Sequence, residues 1–153
     1  MERRDIRLHH TMKTHKQIVD ELIILAESLE RVKGAKVASL ITLRGKVIAY
    51  GHNHRKSHPF QAKYGNNSDC IFFHAETHAI KNALKTVTME DLTKCTLYVA
   101  RVKKDNKKKE LYYGLAKPCR GCQKCINEFN INKVFYTTDD QTIFDMFRNR
   151  NIE

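Results

Sequence analysis

Two short stretches hold the residues best able to do chemistry. The first is Phe72-Phe73-His74-Ala75-Glu76-Thr77-His78-Ala79-Ile80, with a His and a Glu two residues apart at the start of a helical pattern. The second is Pro118-Cys119-Arg120-Gly121-Cys122, with two Cys one helical turn apart just after a proline. Imidazole nitrogen and thiolate sulfur are common zinc ligands, and a catalytic zinc takes three of them and keeps a fourth position for water. His74, Cys119 and Cys122 supply the three. Glu76 is then left beside the ion as a proton carrier, and the small Ala75 lets a substrate and the metal come close to the backbone. Zinc brings the pKa of water from ~16 to ~7. A nucleophile and a carboxylate that moves protons are the parts a hydrolytic reaction needs.

The sulfurs have a physical reason to sit where they do. Pro118 suits the first turn of a helix, where no amide hydrogen is needed. Cys119 and Cys122 then meet the partly positive end of that helix, which favours thiolate. Cys125 leaves an alternative open: Cys119-x-x-Cys122-x-x-Cys125 with His74 could close a four-ligand structural site or hold an iron–sulfur cluster. The plainer reading of Cys125 is a small buried apolar residue.

The combination H-x-E … P-C-x-x-C, with its order and its proline, resembles the zinc nucleobase deaminases, the superfamily of cytidine and deoxycytidylate deaminases and tRNA adenosine deaminases. The resemblance implies zinc at His74, Cys119 and Cys122, and Glu76 as the group that serves water, ring nitrogen and departing amine. It extends to Gly51-His52-Asn53, a G-x-N at a strand end, whose Asn lies near sugar and base in many relatives; turn capping is the alternative for Asn53. It also implies assembly into a homo-oligomer. Some viral deoxycytidylate deaminases carry a second, structural zinc, for which His54, His58 and Cys70 are candidates here.

These groups need elements to position them. Thr14 with Gln17 forms a capping-box pattern, and Ile18, Leu22, Leu25, Leu29 and Val32 recur at helical spacing up to Gly34. Residues 35–43 and 47–50 predict two strands joined at Arg44-Gly45 as an antiparallel hairpin. A polar loop follows through Asn66-Asn67. His74 opens a second helix with Ala75, Ala79, Ile80, Ala83 and Leu84 on its apolar face; His78 lies one turn on, as a neighbour of the site or a plain helix residue. Thr96–Val102 predicts a central strand, Lys103–Glu110 a solvated tip, and Leu111-Tyr112-Tyr113 a return. Residues 119–129 predict a helix, and Val134–Tyr136 a strand whose Tyr136 would approach the substrate ring. Ile143, Phe144 and Phe147 then predict a short helix. Strand, helix, strand implies a parallel crossover. The whole predicts an α/β fold: a three-layer α/β/α sandwich with a mixed sheet of about five strands, cytidine deaminase-like.

At 153 residues with 41% hydrophobic content, one domain spanning 1–153 is expected, with 1–13 as an arm carrying His9 and His10. No run approaches the ~20 apolar residues of a membrane span, and the charged start shows no secretory pattern. Five Cys with three clustered point to metal or thiol chemistry in a reducing, cytoplasmic setting. The formal charge of +11 favours anionic partners.

Three functions follow. The leading one is deamination of a free cytosine nucleoside or nucleotide, of cytidine or deoxycytidylate type, with Arg55, Lys56 and Lys63 on a 5′-phosphate. The second is deamination of a base in single-stranded DNA or RNA, tRNA included, with the basic charge on the backbone and Phe60, Tyr64, Tyr112 and Tyr113 stacking bases. The third is a non-catalytic, zinc-stabilised nucleic-acid-binding module, which would have no use for Glu76.

Overall fold

The computed structural model describes residues 13–29, 36–54, 59–64, 74–104, 111–139 and 145–148; for 104, 111–113 and 145–148 only the backbone is described. The elements run α1 (His15–Glu27), β1 (Lys36–Leu43), β2 (Lys46–His52), α2 (Pro59–Ala62), α3 (Ala75–Ala83), α4 (Met89–Leu92), β3 (Cys95–Lys104), β4 (Leu111–Gly114), α5 (Arg120–Glu128), β5 (Lys133–Tyr136) and β6 (Asp145–Arg148).

Helix α1 starts as its sequence predicts. The Thr14 hydroxyl accepts from the Gln17 N–H, and the Gln17 side chain accepts from the Thr14 N–H. The helix ends at Glu27, and Val32 and Gly34 lie outside the described residues. Arg44 and Gly45 both take positive φ (54° and 80°), the turn that lets β1 fold back on β2 without splaying the pair.

The sheet runs β2-β1-β3-β5-β6, with β4 as a sixth strand on β3. β1 and β3 pair antiparallel along eight positions, Lys36 with Val102 through Leu43 with Cys95. On the other side of β3, β5 pairs parallel with the first half, Thr96–Val99. β4 pairs antiparallel with the second half, Arg101–Lys104. Thr137 sits at this parting, fully buried. Its hydroxyl donates to the Gly114 carbonyl at 2.7 Å and accepts from the Arg101 N–H at 3.1 Å. Its N–H reaches the Val99 carbonyl and its carbonyl takes the Ala116 N–H.

Period-two alternation sorts the sheet's side chains to two faces. Ala38, Leu40, Tyr98, Ala100, Val102 and Phe135 pack with Ile18, Val19, Leu22 and Ala26 of α1. Ile41, Leu97, Val99, Val134 and Tyr136 pack on the other face with Ala79, Ile80 and Ala83 of α3 and Cys125 and Ile126 of α5. The expected α/β/α sandwich is therefore present. One expectation is corrected: Asp145–Arg148 pairs antiparallel with β5 as strand β6 rather than forming a helix. Three apolar residues fit one helical turn, but the open edge of β5 offers hydrogen bonds that a short helix cannot match. Ile143 and Phe144 lie outside the described residues, as do His9, His10 and the hairpin tip at 105–110. Among the described residues no helix is long and apolar enough to cross a membrane.

Helix α3 lies so close to β2 that a Cβ at Gly51 would come within 2.3 Å of the Ala75 carbonyl oxygen and 2.4 Å of the Ala79 nitrogen. Both are backbone atoms and cannot rotate away. Gly51→Ala is expected to cost about 2–3 kcal/mol, which for a chain of this size lowers Tm by roughly 5–10 °C in thermal unfolding.

Candidate active site

The chain leaves β2 at His52, passes through the short helix α2 and reaches α3, whose N-cap is His74. His74 is extended there (φ −84°, ψ 159°), and its ring makes no capping hydrogen bond to the helix. Its backbone is tethered: the N–H donates to Gln61 Oε1 at 3.1 Å, and its carbonyl accepts from the His78 N–H at 3.0 Å and the Thr77 hydroxyl at 3.1 Å. Thr77 also donates to Gln61 Oε1. Gln61, fully buried on α2, thus acts as a strut under the first turn of α3. Ser39 of β1 fixes the same turn by donating to the Ala75 carbonyl at 2.6 Å.

Cys119 and Cys122 arrive from the far side on α5. Cys119 is the N-cap, and its sulfur accepts from the Cys122 N–H at 3.5 Å. Pro118 therefore precedes the cap instead of occupying the first helical turn as expected. The polar cap atom of Cys119 is what stops the helix there, and the Pro118 carbonyl is used by the Gln123 side chain at 2.8 Å.

His74 Nδ1 stands 3.5 Å from Cys119 Sγ and 3.3 Å from Cys122 Sγ. Two such donors bound tetrahedrally to one zinc at about 2.1 and 2.3 Å stand about 3.6 Å apart. The three donor atoms all lie within 4.8 Å of one another. The fit is therefore good, and the protonation pattern agrees. The hydrogen bond from Cys122, with help from His74, pulls the Cys119 thiol down to about 4. That same bond and burial push Cys122 well above its ordinary value. His74 is raised, chiefly by its contact with Cys119. Two sulfurs, the exposed Cys119 and the buried Cys122, thus compete for one proton, a conflict that a divalent cation removes.

Glu76 is 6% exposed. Burial raises its pKa above the ordinary carboxyl value, so it accepts a proton more readily than a surface glutamate. It lines a cleft of about 390 Å³ together with Asn53, His74, Ala75, Arg101, Lys117 and Cys119. Asn53 is held in place because its Oδ1 accepts from the Val37 N–H at 3.1 Å while its own N–H reaches the Val37 carbonyl. The bond to Val37 of β1 spans sixteen residues and is not a turn cap, and Asn53 stands on the cleft wall.

Other expected residues fall elsewhere. Tyr136 is buried in the core beneath the sheet and is not among the residues lining the cleft. Cys125 is fully buried in that core, where burial pushes its thiol to about 12, and it is not grouped with the His74 donors. Tyr64 is buried and Phe60 packs on it and on Phe129, so neither is a surface for bases. Lys63 pairs with Glu128 at 3.2 Å. His15 stacks on Phe135, with ring centres 4.1 Å apart. Arg55, Lys56, His58 and Cys70, and the side chains of Tyr112 and Tyr113, lie outside what is described. Sequence reasoning missed Arg101 and Lys117. Arg101 lies near the end of the strongest predicted strand and Lys117 precedes the Pro-Cys pair, which was the available signal.

The family described as the cytidine and deoxycytidylate deaminase zinc-binding region matches residues 12–138. The dCMP deaminase of the cyanophage S-TIM5, in apo form, is similar in structure at 21% identity, covering 82% of this chain and 86% of that one with a TM-score of 0.52. A structure from work on tRNA:A34 deaminases, which edit A to I at the wobble position, shares 21% identity over 80% of this chain and 76% of that one, TM-score 0.49. A deaminase/reductase of Thermotoga maritima, acting on diaminohydroxyphosphoribosylaminopyrimidine, shares 20% identity over 82% of this chain and 31% of that one, TM-score 0.48. No curated protein sequence matches the chain.

Gln61→Ala tests the strut. It strips the His74 N–H of its acceptor, leaves the Thr77 hydroxyl only the His74 carbonyl and opens a buried space, and is expected to cost about 2–4 kcal/mol, read as a lower midpoint in urea unfolding.

Proposed function

This chain belongs to the cytidine and deoxycytidylate deaminase family, and from that premise we propose that it deaminates a free cytosine nucleotide, with deoxycytidylate-type substrates preferred, to the uracil form and ammonia. The family makes it a zinc-dependent aminohydrolase, and the reading as a non-catalytic module is set aside. The observation that carries the choice of substrate is the placing of two cations, Arg101 and Lys117, on the wall of the cleft that also holds Glu76. Among the described residues Arg101 Nε is buried without a hydrogen-bond partner, an uncommon state for a guanidinium nitrogen, and one that a phosphate oxygen would relieve. The cleft's volume of about 390 Å³ also suits a small ligand.

In this reading His74, Cys119 and Cys122 hold the zinc. When bound, the ion supplies Lewis acidity that makes water nucleophilic near neutral pH. Glu76 takes a proton from the attacking water and passes it to the ring nitrogen, then delivers a second proton to the exocyclic amine. The carbon–nitrogen bond breaks, ammonia leaves, and the water's oxygen stays as the new carbonyl. Asn53 meets the sugar or the base edge with an amide whose orientation Val37 fixes. Ala75 lets the ring approach the first turn of α3. Arg101 and Lys117 bind the monophosphate.

Ammonia release from cytosine nucleosides and nucleotides, adenine and guanine counterparts and short oligomers tests the proposal. Deoxycytidylate is expected to lead the panel. Glu76→Gln should lower kcat by about 10³-fold or more while the cobalt-loaded protein keeps its thiolate absorption bands. Arg101→Met should raise KM for the monophosphate at least about tenfold and leave the nucleoside unchanged, since a charge-assisted hydrogen bond contributes about 1.5–3 kcal/mol. The +11 charge favours the second reading, a base in a single strand. Release from oligomers alone, with affinity falling steeply in salt, would establish that reading and end the first.

A further inference from the structure

A second group of ligating side chains stands apart from the cleft. His52, His54 and His78 each present one ring nitrogen, and these three nitrogens lie within 4.8 Å of one another. None of the three lines the catalytic cleft, although Asn53, between the first two, does. Alternate side chains of an extended run point to opposite sides, so His52 and His54 turn together away from the side that Asn53 occupies. Their rings stack at 4.1 Å, and the His78 ring meets both edge-on, at 5.0 Å and 4.4 Å.

Hydrogen bonding alone does not account for this cluster. His78 Nδ1 is approached by the His52 N–H at 3.1 Å and by His54 Nε2 at 3.1 Å. An imidazole nitrogen has one lone pair and cannot serve two donors well. Two nitrogens bound to one ion at about 2.1 Å stand about 3.0–3.4 Å apart, which is the His54–His78 spacing. His52 is already set as a ligand: its Nδ1 lies 3.2 Å from the Asn53 carbonyl. Donation there leaves the lone pair on Nε2, the arrangement that orients metal-binding histidines.

We propose that His52, His54 and His78 form a second binding site for a divalent transition-metal ion, distinct from the one at His74, Cys119 and Cys122. Three imidazoles suit zinc, cobalt, nickel or copper; magnesium and calcium require oxygen ligands. The ion takes the His78 Nδ1 lone pair that the His52 amide uses in its absence. It ties the end of β2 to α3 one turn beyond His74, and so holds Asn53 in register with Glu76. It is a structural clamp behind Asn53, outside the cleft itself.

The test is cobalt titration of the tag-free, full-length apoprotein, with bound metal counted by elemental analysis. Two equivalents per chain are expected at micromolar metal. Only one of them raises the intense thiolate-to-cobalt bands; the other gives weak bands of nitrogen and oxygen ligation. The Cys119→Ser/Cys122→Ser double variant should keep one equivalent without thiolate bands, and adding His54→Ala should remove it. A wild-type stoichiometry of one, or a second equivalent taken up only at millimolar metal, overturns the proposal. The wild-type count stands even where a variant fails to fold. No step of it reads ammonia release, so it can fail while the deaminase reading holds, and the reverse.

Discussion

The close approach of helix α3 to strand β2 is the constraint on which the site depends. Gly51 leaves no side chain between them, and Ser39 fastens the Ala75 carbonyl to β1 from the sheet side. Those contacts press the first turn of α3 against the ends of two strands. His74 and Glu76 ride on that turn, so their height above the sheet follows from backbone packing and not from any contact between the two. A bulkier residue at position 51 would lift the imidazole away from the sulfurs of α5, which are anchored separately.

Charge is arranged on the same scaffold. The N-terminal ends of α3 and α5 both come to the cleft, each with a partly positive field. Into that field the chain places a buried carboxyl and two thiols. Burial alone would keep all three protonated; the helix ends and the neighbouring imidazole oppose it, and Cys119 and Cys122 end on opposite sides of the balance. A site that stores such a conflict without a cation is predisposed to take one.

Much of this was legible in the chain itself, for physical reasons. His74, Glu76, Cys119 and Cys122 were readable because spacing within a helical turn fixes direction locally. The Thr14 capping box and the Arg44-Gly45 turn are likewise local chemistry. What escaped depended on contacts distant in sequence. Nothing in the stretch around Gln61 announces a strut for a helix thirteen residues later. Tyr136 ends a strand pointing toward the site, but the alternation of β5 turns its ring into the core. The pattern of Ile143, Phe144 and Phe147 suited a helix until the edge of β5 claimed the segment. His78 reads from sequence as a neighbour of the site or a plain helix residue, because its partners His52 and His54 come from the end of β2 and just past it, far from α3 along the chain.

The division of one edge of β3 between two partners has a further consequence. A strand that changes neighbours midway exposes amide groups at the fork, and Thr137 closes that gap with its hydroxyl and both backbone groups. Arg101 is thereby pinned at the fork itself, independent of whatever the β3–β4 hairpin does beyond Lys104. Evolution can lengthen, shorten or recharge that hairpin as a separate module while the Arg101 wall of the cleft keeps its shape.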